Sequence, residues 1–439
     1  MTNVRLVFSV FLLCTGVFPA RAQISFSSLQ QVLDYADNHA ISIQSAKDQQ
    51  QIATSKYRTS KAALLPSLSA SAGFNDNITL QPTLVPANLF NPAAPAGTFN
   101  EYTFGRKYVY STGVQAGWDV VNFQKWFDVK TADAARKLSE ASIVNTRFQL
   151  YNQLAQTYYS ILLTGKYIGI ANGNIAAADS IYRIANDKYE AGIFTEENLN
   201  RSKIQLAQAQ QQASDLTSSL AQLYNQLQTQ LNTNEQLMLT DTLSAAYADK
   251  ADEAAITSVH PQVQVQEAQL KLNEQQLAQN RSMLYPTLGL GYQYNQNWAS
   301  DKMFDLSGAN HLPQQFFAAK LNIPLFNGLA TRGKISQSRI QLRQQQQVLE
   351  NQRLAAQKED ENLDLQYHQS IVDMNKQEEI LALQSSNDNH SKDRYESGII
   401  GLDERLDKFT DLLQVQNQYM QSLSNYYINY YKRYIRIKR

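Results

Sequence analysis

The chain of 439 residues has little cysteine and no excess of either charge. Cys14 is its only cysteine, so no disulfide is expected within the chain. Lys plus Arg and Asp plus Glu number 39 each, so the chain lacks the excess of positive charge that is typical of a nucleic-acid-binding protein. After residue 23 no apolar run reaches the length of a membrane helix, so a mature chain that crosses a membrane would do so as a β-barrel.

The first 22 residues have the pattern of a secretory signal peptide. Arg5 precedes an apolar run that ends at Phe18, and a small residue stands at Ala22, immediately before the expected cleavage site. The run is too short to span a bilayer of about 30 Å. Leu13 precedes Cys14 where a lipoprotein signal has a small residue, so no lipid anchor is expected. We therefore expect an exported protein.

The rest of the chain carries one pattern twice. Helical stretches, a proline, alternating strands, a long helix, a glycine turn and another long helix follow each other in the same order in both halves. Residues 63–68 correspond to 283–288, residues 118–122 to 323–327, and residues 189–193 to 395–399. This indicates a duplicated unit.

Proline placement separates helical from non-helical parts. None of the ten prolines lies between Pro95 and Pro261 or after Pro324, so nothing in 124–236 or 328–439 must break a helix. Apolar or small residues recur there at alternating spacings of three and four, the pattern of a coiled-coil seam. The two seams are Leu206, Ala209, Ala213, Leu216, Leu220, Leu223 and Leu227, and Leu402, Leu406, Phe409, Leu413, Gln416, Met420, Leu423 and Tyr427. We expect two long helical hairpins.

Each predicted hairpin turns at a glycine. Gly192 and Gly398 suit the left-handed conformation that ends a helix, and Thr195 or Asp403 is placed to cap the next helix. The helices before these glycines would each run for about 65 residues, or roughly 100 Å. An ordinary soluble helical bundle is the alternative, but such helices exceed the size of a compact domain.

The segments after Pro66 and Pro286 alternate with the period of a β-strand. Each half supplies two such segments of about ten residues, the length that crosses a membrane at a tilt. Four strands cannot close a barrel. The alternative is a small soluble sheet with one buried face.

Together these features resemble the TolC-type outer-membrane efflux channels, the outer membrane factors. The resemblance rests on the Pro-Ser/Thr-Leu strand entries, the strand exit Ile-Pro-Leu-Phe-Asn-Gly at 323–328 and the Tyr-Glu-x-Gly hairpin tips, and it covers nearly all of the mature chain. It implies a mixed α/β membrane protein with an internal two-fold repeat. In this family a trimeric twelve-stranded β-barrel, with four strands per protomer, continues into a long periplasmic α-helical coiled-coil barrel.

The resemblance also implies a function and its partners. The chain would be the exit duct of a tripartite efflux or type I secretion system in the outer membrane of a Gram-negative bacterium. Its partners would be two further copies of itself, a periplasmic adaptor (membrane fusion) protein, an inner-membrane transporter and outer-membrane lipid, with no nucleic acid. The alternative is a soluble periplasmic coiled-coil scaffold or adaptor protein. The exported substrate, whether drug, metal ion or protein, stays open.

No enzyme activity, catalytic residue, cofactor or metal is expected. The five histidines, His39, His260, His311, His368 and His390, show no spacing that would place two of them on one helical face as metal ligands. The chain also has no glycine-rich phosphate loop.

The resemblance assigns a periplasmic gate to the residues around the second hairpin turn, with a ring of acidic side chains just past it. Tyr395 matches the gate tyrosine of the family, and Glu404 and Asp407 match a ring of acidic side chains around the duct axis. These two acids are three residues apart and share one helical face. A ring of carboxylates favours cations. The alternative is that Glu404 pairs with Lys408 and that both acids complement a helix amino terminus.

Two positions depart from the family's gate. Ile400 stands where a lock arginine would sit, and Asn198 stands at the position of the matching aspartate. The familiar salt-bridge lock is therefore expected to be absent, with closure by packing around Tyr395. The tips themselves, Gly192 with Ile193 and Gly398 with Ile399, match the positions that dock the adaptor. The alternative is that these glycine turns are needed only for folding and do not dock the adaptor.

The expected organisation follows from these assignments. The signal peptide is expected at 1–22. The first repeat would consist of helices at 23–65, two strands at 66–122 with an extracellular loop at about 80–105, and a helical hairpin at 123–236 with its tip at 189–193. An equatorial segment at 237–258 would separate it from the second repeat, which has a helix at 259–285, two strands at 286–327 with an extracellular loop at about 295–313, and a hairpin at 328–439 with its tip at 395–399.

Overall fold

A computed structural model describes residues 23–243, 256 and 258–438 of the chain. Seven α-helices dominate the described residues, and two of them are very long. The helices are α1 (Leu29–His39), α2 (Ile41–Ala62), α3 (Phe123–Glu190), α4 (Glu196–Leu231), α5 (Pro261–Ser282), α6 (Ala330–Glu396) and α7 (Leu402–Lys438).

Eight strands in the described residues form three separate sheets. β1 pairs with β6 in parallel, β3 pairs with β4, and the four remaining strands form one antiparallel sheet in the order β2-β5-β7-β8. The strands are β1 (Gln23–Phe26), β2 (Ser67–Asp76), β3 (Pro82–Pro86), β4 (Phe99–Thr103), β5 (Tyr108–Val121), β6 (Gln236–Leu239), β7 (Thr287–Ser300) and β8 (Asn310–Asn322).

The elements recur in the same order, which confirms the internal repeat. A 22-residue helix, α2 or α5, leads into the first strand of each half. The strand β5 or β8 leads into a helix of 68 or 67 residues, α3 or α6, and the hairpin β3–β4 has no counterpart among the described strands of the second half. A helix of 36 or 37 residues, α4 or α7, completes each half.

The chain divides into two compact units. Unit 1 includes the described parts of Met1–Ala46, Val144–His260 and Ala356–Arg439, and unit 2 consists of Lys47–Ile143 and Pro261–Ala355. The boundary between the units therefore does not follow the boundary between the repeats. Each repeat contributes to both units, and so do the helices α3 and α6.

Unit 1 has an apolar core in which tyrosine is prominent. Leu154, Leu227 and Leu231 are fully buried. The ring of Tyr159 stacks on those of Tyr427 and Tyr431, with centroids 5.0 and 5.8 Å apart. Aromatic rings bury large apolar areas, and each stacked pair adds to the stability of the fold beyond the contribution of the buried area.

The predicted coiled-coil seams lie inward along both α4 and α7. Every seam residue from Leu206 to Leu227 and from Leu402 to Tyr427 is buried or half-buried, while the residues between them include many exposed polar side chains. The spacing of three and four keeps one stripe of each helix facing its neighbours.

Unit 2 is organised around the four-stranded sheet. Its register runs from Ser67 opposite Gly117, through Tyr108 opposite Ser300, to Thr287 opposite Asn322. The strands have 10 to 14 residues each. One irregularity, between Asp119 and Val121, interrupts the β5 and β7 pairing at the end that leads into α3.

The structure corrects three boundaries. The segment expected as a loop at about 80–105 contains the hairpin β3–β4, because a second ladder pairs Pro82 with Thr103 through Pro86 with Phe99. The loop expected at about 295–313 is only 301–309, because alternation continues in both flanking strands. The first helical hairpin ends at Leu231 rather than 236, since Asn232 adopts a left-handed conformation with φ of 53°.

Two expectations fall wholly or partly outside the described residues. The signal peptide at 1–22 lies outside them, and so does most of the equatorial segment at 237–258. The described start of that segment belongs to β6, whose pairing places Leu237 beside Ile24 and Leu239 beside Phe26.

Candidate functional site

One face of the four-stranded sheet is apolar. Residues directly opposite each other on neighbouring strands share a face, and Leu290 lies between Trp118 and Ala319. Polar residues on this face, such as Gln296 and His311, lie toward the end that carries the 301–309 loop. The apolar members include Leu68, Ala70, Ala72, Phe74, Tyr110, Val114, Ala116, Trp118, Leu288, Leu290, Tyr292, Tyr294, Trp298, Phe317, Ala319 and Leu321.

The opposite face is mainly small and polar. Val109, Leu312 and Phe316 are apolar exceptions on it. A side chain at Gly113 would collide with the side-chain oxygen of Asn295. The small and polar members include Ser67, Ser69, Ser71, Gly73, Asn75, Ser111, Gly113, Gln115, Gly117, Asp119, Gly289, Gly291, Gln293, Asn295, Asn297, Gln314, Ala318 and Lys320.

The two outer strands of this sheet, β2 and β8, each have one edge without a partner. Every residue of both strands is exposed in the isolated chain. An unpaired edge presents a row of backbone donors and acceptors that favours pairing with another strand. The sheet thus has one face suited to hydrocarbon, one suited to water, and two edges that require partners.

The second candidate region lies in unit 1, where both long hairpins turn. The two turns have the same geometry: Gly192 and Gly398 have φ of 73° and 74°. The amide of Ile193 donates to the carbonyl of Lys188 at 2.8 Å, and that of Ile399 donates to Arg394 at 2.8 Å. This is the Schellman arrangement, which satisfies the last carbonyls of a helix.

The residues after the two glycines point into solvent. Ile193 is 70% exposed and Ile399 is 68% exposed. Thr195 caps α4, as expected, by accepting from the amide of Asn198. Asp403 does not cap α7, because that helix begins one residue earlier at Leu402.

An apolar cluster joins the two turns. Tyr395 is 1% exposed and packs with residues of α3, α4 and α7. Its hydroxyl has no hydrogen-bond partner among the described residues, and burial raises its pKa to about 12. The ammonium of Lys188 lies 4.7 Å from the centre of its ring, within the range of a cation–π contact. The other buried members are Ala178, Ile181, Ala185, Ala209, Ile400, Leu402, Leu406 and Phe409.

Two exposed ion pairs lie at the tips. Arg201 of α4 donates to Asp403 of α7 at 2.5 Å and so connects the first hairpin to the second. Arg394 of α6 lies 3.7 Å from Glu404 of α7. Sequence reasoning missed both pairs, since each depends on how separate helices face each other. Exposed pairs of this kind each contribute up to about 1 kcal/mol.

A buried ion pair stabilises the second hairpin close to Tyr395. The guanidinium of Arg405, which is 2% exposed, donates to both carboxylate oxygens of Asp388 at 2.5 and 3.3 Å. A bidentate pair fixes the orientation of both side chains. Removing one partner would leave a buried charge, at a cost of about 3–5 kcal/mol.

The two predicted ring acids are both exposed on α7. Glu404 is next to Arg394 instead of pairing with Lys408, which lies 3.7 Å from Asp411. Tyr395, the predicted gate tyrosine, is by contrast buried within the tip cluster of its own chain. The structure therefore separates the predicted gate residues into a packed one and two that face solvent.

Histidines do not gather into a site. His260 is buried with its ring edge-on to Phe148 at 5.2 Å, and burial, reinforced by Arg436, lowers its pKa. Among the residues that the structure describes, no group of His, Cys, Asp and Glu has the arrangement of a metal site. Within the same ranges, no helix has an apolar stretch long enough to cross a lipid bilayer.

Solved structures share this fold across nearly their whole length. The channel CusC has a TM-score of 0.75 and 16% identity, with 93% of this chain and 91% of CusC covered. A membrane protein from Pseudomonas aeruginosa has a TM-score of 0.74 and 16% identity, with 94% and 91% covered. The outer membrane protein VceC from Vibrio cholerae has a TM-score of 0.72 and 15% identity, with 93% and 95% covered.

A family model described as outer membrane efflux protein matches residues 32–233 and 255–431, which is most of the chain. The comparison with curated proteins finds no match. The two-faced sheet and the paired helical hairpins agree with the family match. The chain therefore belongs to the outer membrane efflux protein family, and it is an efflux duct of the outer membrane.

Proposed function

We propose that three copies of this chain close their sheets into one twelve-stranded barrel, whose polar face lines a water-filled passage through the outer membrane. The observation that carries this proposal is the four-stranded sheet with one apolar face, one polar face and two unpaired edges. Bacterial outer-membrane barrels have at least eight strands, and they alternate apolar outside with polar inside. One chain is too small for such a barrel, and three chains, the number that the family resemblance implies, supply twelve strands.

The duct works as a passive exit in this proposal. The family and the fold are those of channels. An inner-membrane pump would supply the energy, and a periplasmic adaptor would connect pump and duct. The soluble scaffold raised as an alternative does not explain the exposed apolar face, which includes Phe317 at 85% exposure.

The gate of this chain would combine packing with a relocated ion pair. Ile400, at the family's arginine position, is buried beside Tyr395 in the tip cluster. The two hairpins are connected instead by the ion pair of Arg201 and Asp403. Arg201 lies three residues after Asn198, and Asp403 lies three residues after Ile400. Their exposure keeps the pair weak, as a lock that must open requires.

Glu404 and Asp407 would form the acidic ring at the periplasmic opening. Both are exposed in the isolated chain, where Glu404 also lies 3.7 Å from Arg394, and in the trimer both would face the axis between three copies. The turns at Gly192 and Gly398 would present Ile193 and Ile399 to the adaptor, because both isoleucines are largely exposed at equivalent positions of the two repeats.

We expect an arginine on the apolar face, but not on the polar face, to block assembly in the membrane. Ala319 and Ala318 are neighbours in β8 and lie on the apolar and polar faces respectively. Ala319→Arg should reduce heat-resistant trimer in outer-membrane fractions, because arginine on a lipid face costs up to about 2–4 kcal/mol. Ala318→Arg is the matched control and should assemble normally. Equal assembly of both variants would contradict the proposed orientation.

Loss of the pair between Arg201 and Asp403 should open the gate. Arg201→Ala and Asp403→Ala are each expected to raise resting conductance in planar bilayers, with up to about a fivefold shift of the closed-to-open ratio per protomer for a pair of about 1 kcal/mol. Exchanging the two side chains, R201D with D403R, should restore low conductance. Single variants that conduct like the unchanged protein would refute the lock.

Neutralising the acidic ring should weaken cation selectivity. The double variant E404Q/D407N is expected to lower the cation-to-anion permeability ratio, measured from reversal potentials in a salt gradient, because the carboxylates would attract cations to the opening. E196Q/E197Q removes the two exposed acids at the start of α4 and serves as the control. An identical ratio in the ring variant and the unchanged protein would exclude the ring.

Charges at the tips should block docking of the adaptor. A photo-crosslinking amino acid next to the turn, at Ala191, is expected to give an adduct with a membrane fusion protein, identified by mass spectrometry. Ile193→Asp together with Ile399→Asp should abolish the adduct while the trimer persists, because a charge cannot be desolvated there without a partner. Ile204→Asp, at another exposed position of α4, is the control. An undiminished adduct in the tip variant would count against docking.

A further inference from the structure

The β3–β4 hairpin is an exposed apolar element between β2 and β5. It follows Asp76 and ends before Tyr108, at the end of the sheet that also carries the 301–309 loop. Its rings form a row, with Tyr102 lying 4.9 Å from Phe90 and 6.1 Å from Phe104. Apolar side chains that are more than half exposed in this region are Ile78, Leu84, Leu89, Phe90, Phe99 and Phe104.

This region also carries almost no charge. Glu101 is the only charged residue between 77 and 105. A hydrophobic patch of this kind on a surface element indicates an interaction site. A further backbone hydrogen bond stabilises the hairpin: the amide of Ala87 donates to the carbonyl of Thr98 at 2.9 Å, one residue past the last pair of the β3–β4 ladder.

The 301–309 loop provides a second apolar patch at the same end of the sheet. Met303, Phe304 and Leu306 are each more than half exposed. The loop is held in place, since the amide of Phe304 donates to the hydroxyl of Tyr110 at 2.8 Å and Asp301 pairs with Arg106. The patch is therefore presented on a fixed support.

The two patches flank opposite edges of the sheet. The hairpin continues from the edge strand β2, whereas the loop leads into the edge strand β8. Closing a ring of identical chains places the β2 edge of one copy next to the β8 edge of the next, which is a heterologous contact. The hairpin of one copy then lies next to the 301–309 loop of its neighbour.

We propose that the β3–β4 hairpin of each protomer packs on the 301–309 loop of the adjacent protomer and forms a clasp between subunits at the outer rim of the barrel. The inference rests on the proposed trimer. The occupant is a second copy of this chain because the interface continues from the paired edges. Charge agrees as well: Glu101 is the only charged residue of the hairpin region, and Lys302 of the loop has the opposite sign, although it also interacts electrostatically with Asp305 of its own loop.

Crosslinking between subunits tests the clasp directly. The only cysteine, Cys14, lies in the expected signal peptide, so introduced cysteines give an unambiguous signal. The double variant F90C/F304C, treated in outer membranes with a short bismaleimide, should give crosslinked dimers and trimers on denaturing gels. A link within one chain leaves the mass of a monomer. The single variants F90C and F304C are the controls and should stay monomeric.

The outcomes separate the clasp from the trimer beneath it. Semi-native gels of the same membranes report the trimer independently. If the unchanged protein forms no trimer, the proposed function is refuted. If F90C/F304C forms a trimer but gives no crosslinks, only the clasp is refuted. A fluorophore on F90C that is quenched by brominated lipid would place the hairpin on the membrane surface and also overturn the proposal.

Charge reversal provides a second test that does not depend on cysteine. Glu101→Lys and Lys302→Glu should each lower the temperature at which the trimer dissociates in detergent, since each places like charges across the contact. The double variant E101K/K302E should restore that temperature. Equal dissociation temperatures for the unchanged protein, both single variants and the double variant would contradict the pairing of these two residues.

Discussion

The unpaired edges of the four-stranded sheet are the constraint on which the rest of the protein depends. In hydrocarbon, each backbone donor or acceptor without a partner costs several kcal/mol, so strands that cross a membrane must form a closed barrel. One chain contributes four strands and leaves the outer edges of β2 and β8 open. The proposed closure by further copies would satisfy these groups, put the apolar face against lipid, and bring the connections at one end of neighbouring sheets together.

The helical hairpins have the equivalent problem at their turns, and both repeats solve it in the same way. A helix leaves its last carbonyls without partners, and the left-handed glycines allow the following amides to satisfy them. The turn then exposes one isoleucine in each repeat, which gives the tips two matching apolar contacts. The same geometry therefore serves both folding and the proposed docking.

The proposed gate illustrates how a function can be retained while its residues change. Ile400 stands at the position of the family's lock arginine and joins the apolar tip cluster instead. Arg201 and Asp403, three residues beyond Asn198 and Ile400, supply a connection between the same two hairpins. Beneath this exposed pair, the buried pair of Arg405 and Asp388 stabilises the second hairpin, because neither charge can be left alone in the interior.

The sequence by itself determined the duplication, the long helices, the four alternating strands and the glycine turns, because each depends on local periodicity or on the allowed conformations of one residue. Thr195 as a cap was also predictable, since capping is local. Only the tertiary structure decided that Asp388 is paired with Arg405, that Arg201 meets Asp403, and that the segment at 80–105 folds into a hairpin. These features depend on the register between elements far apart in the chain, and no local pattern specifies how such elements face each other.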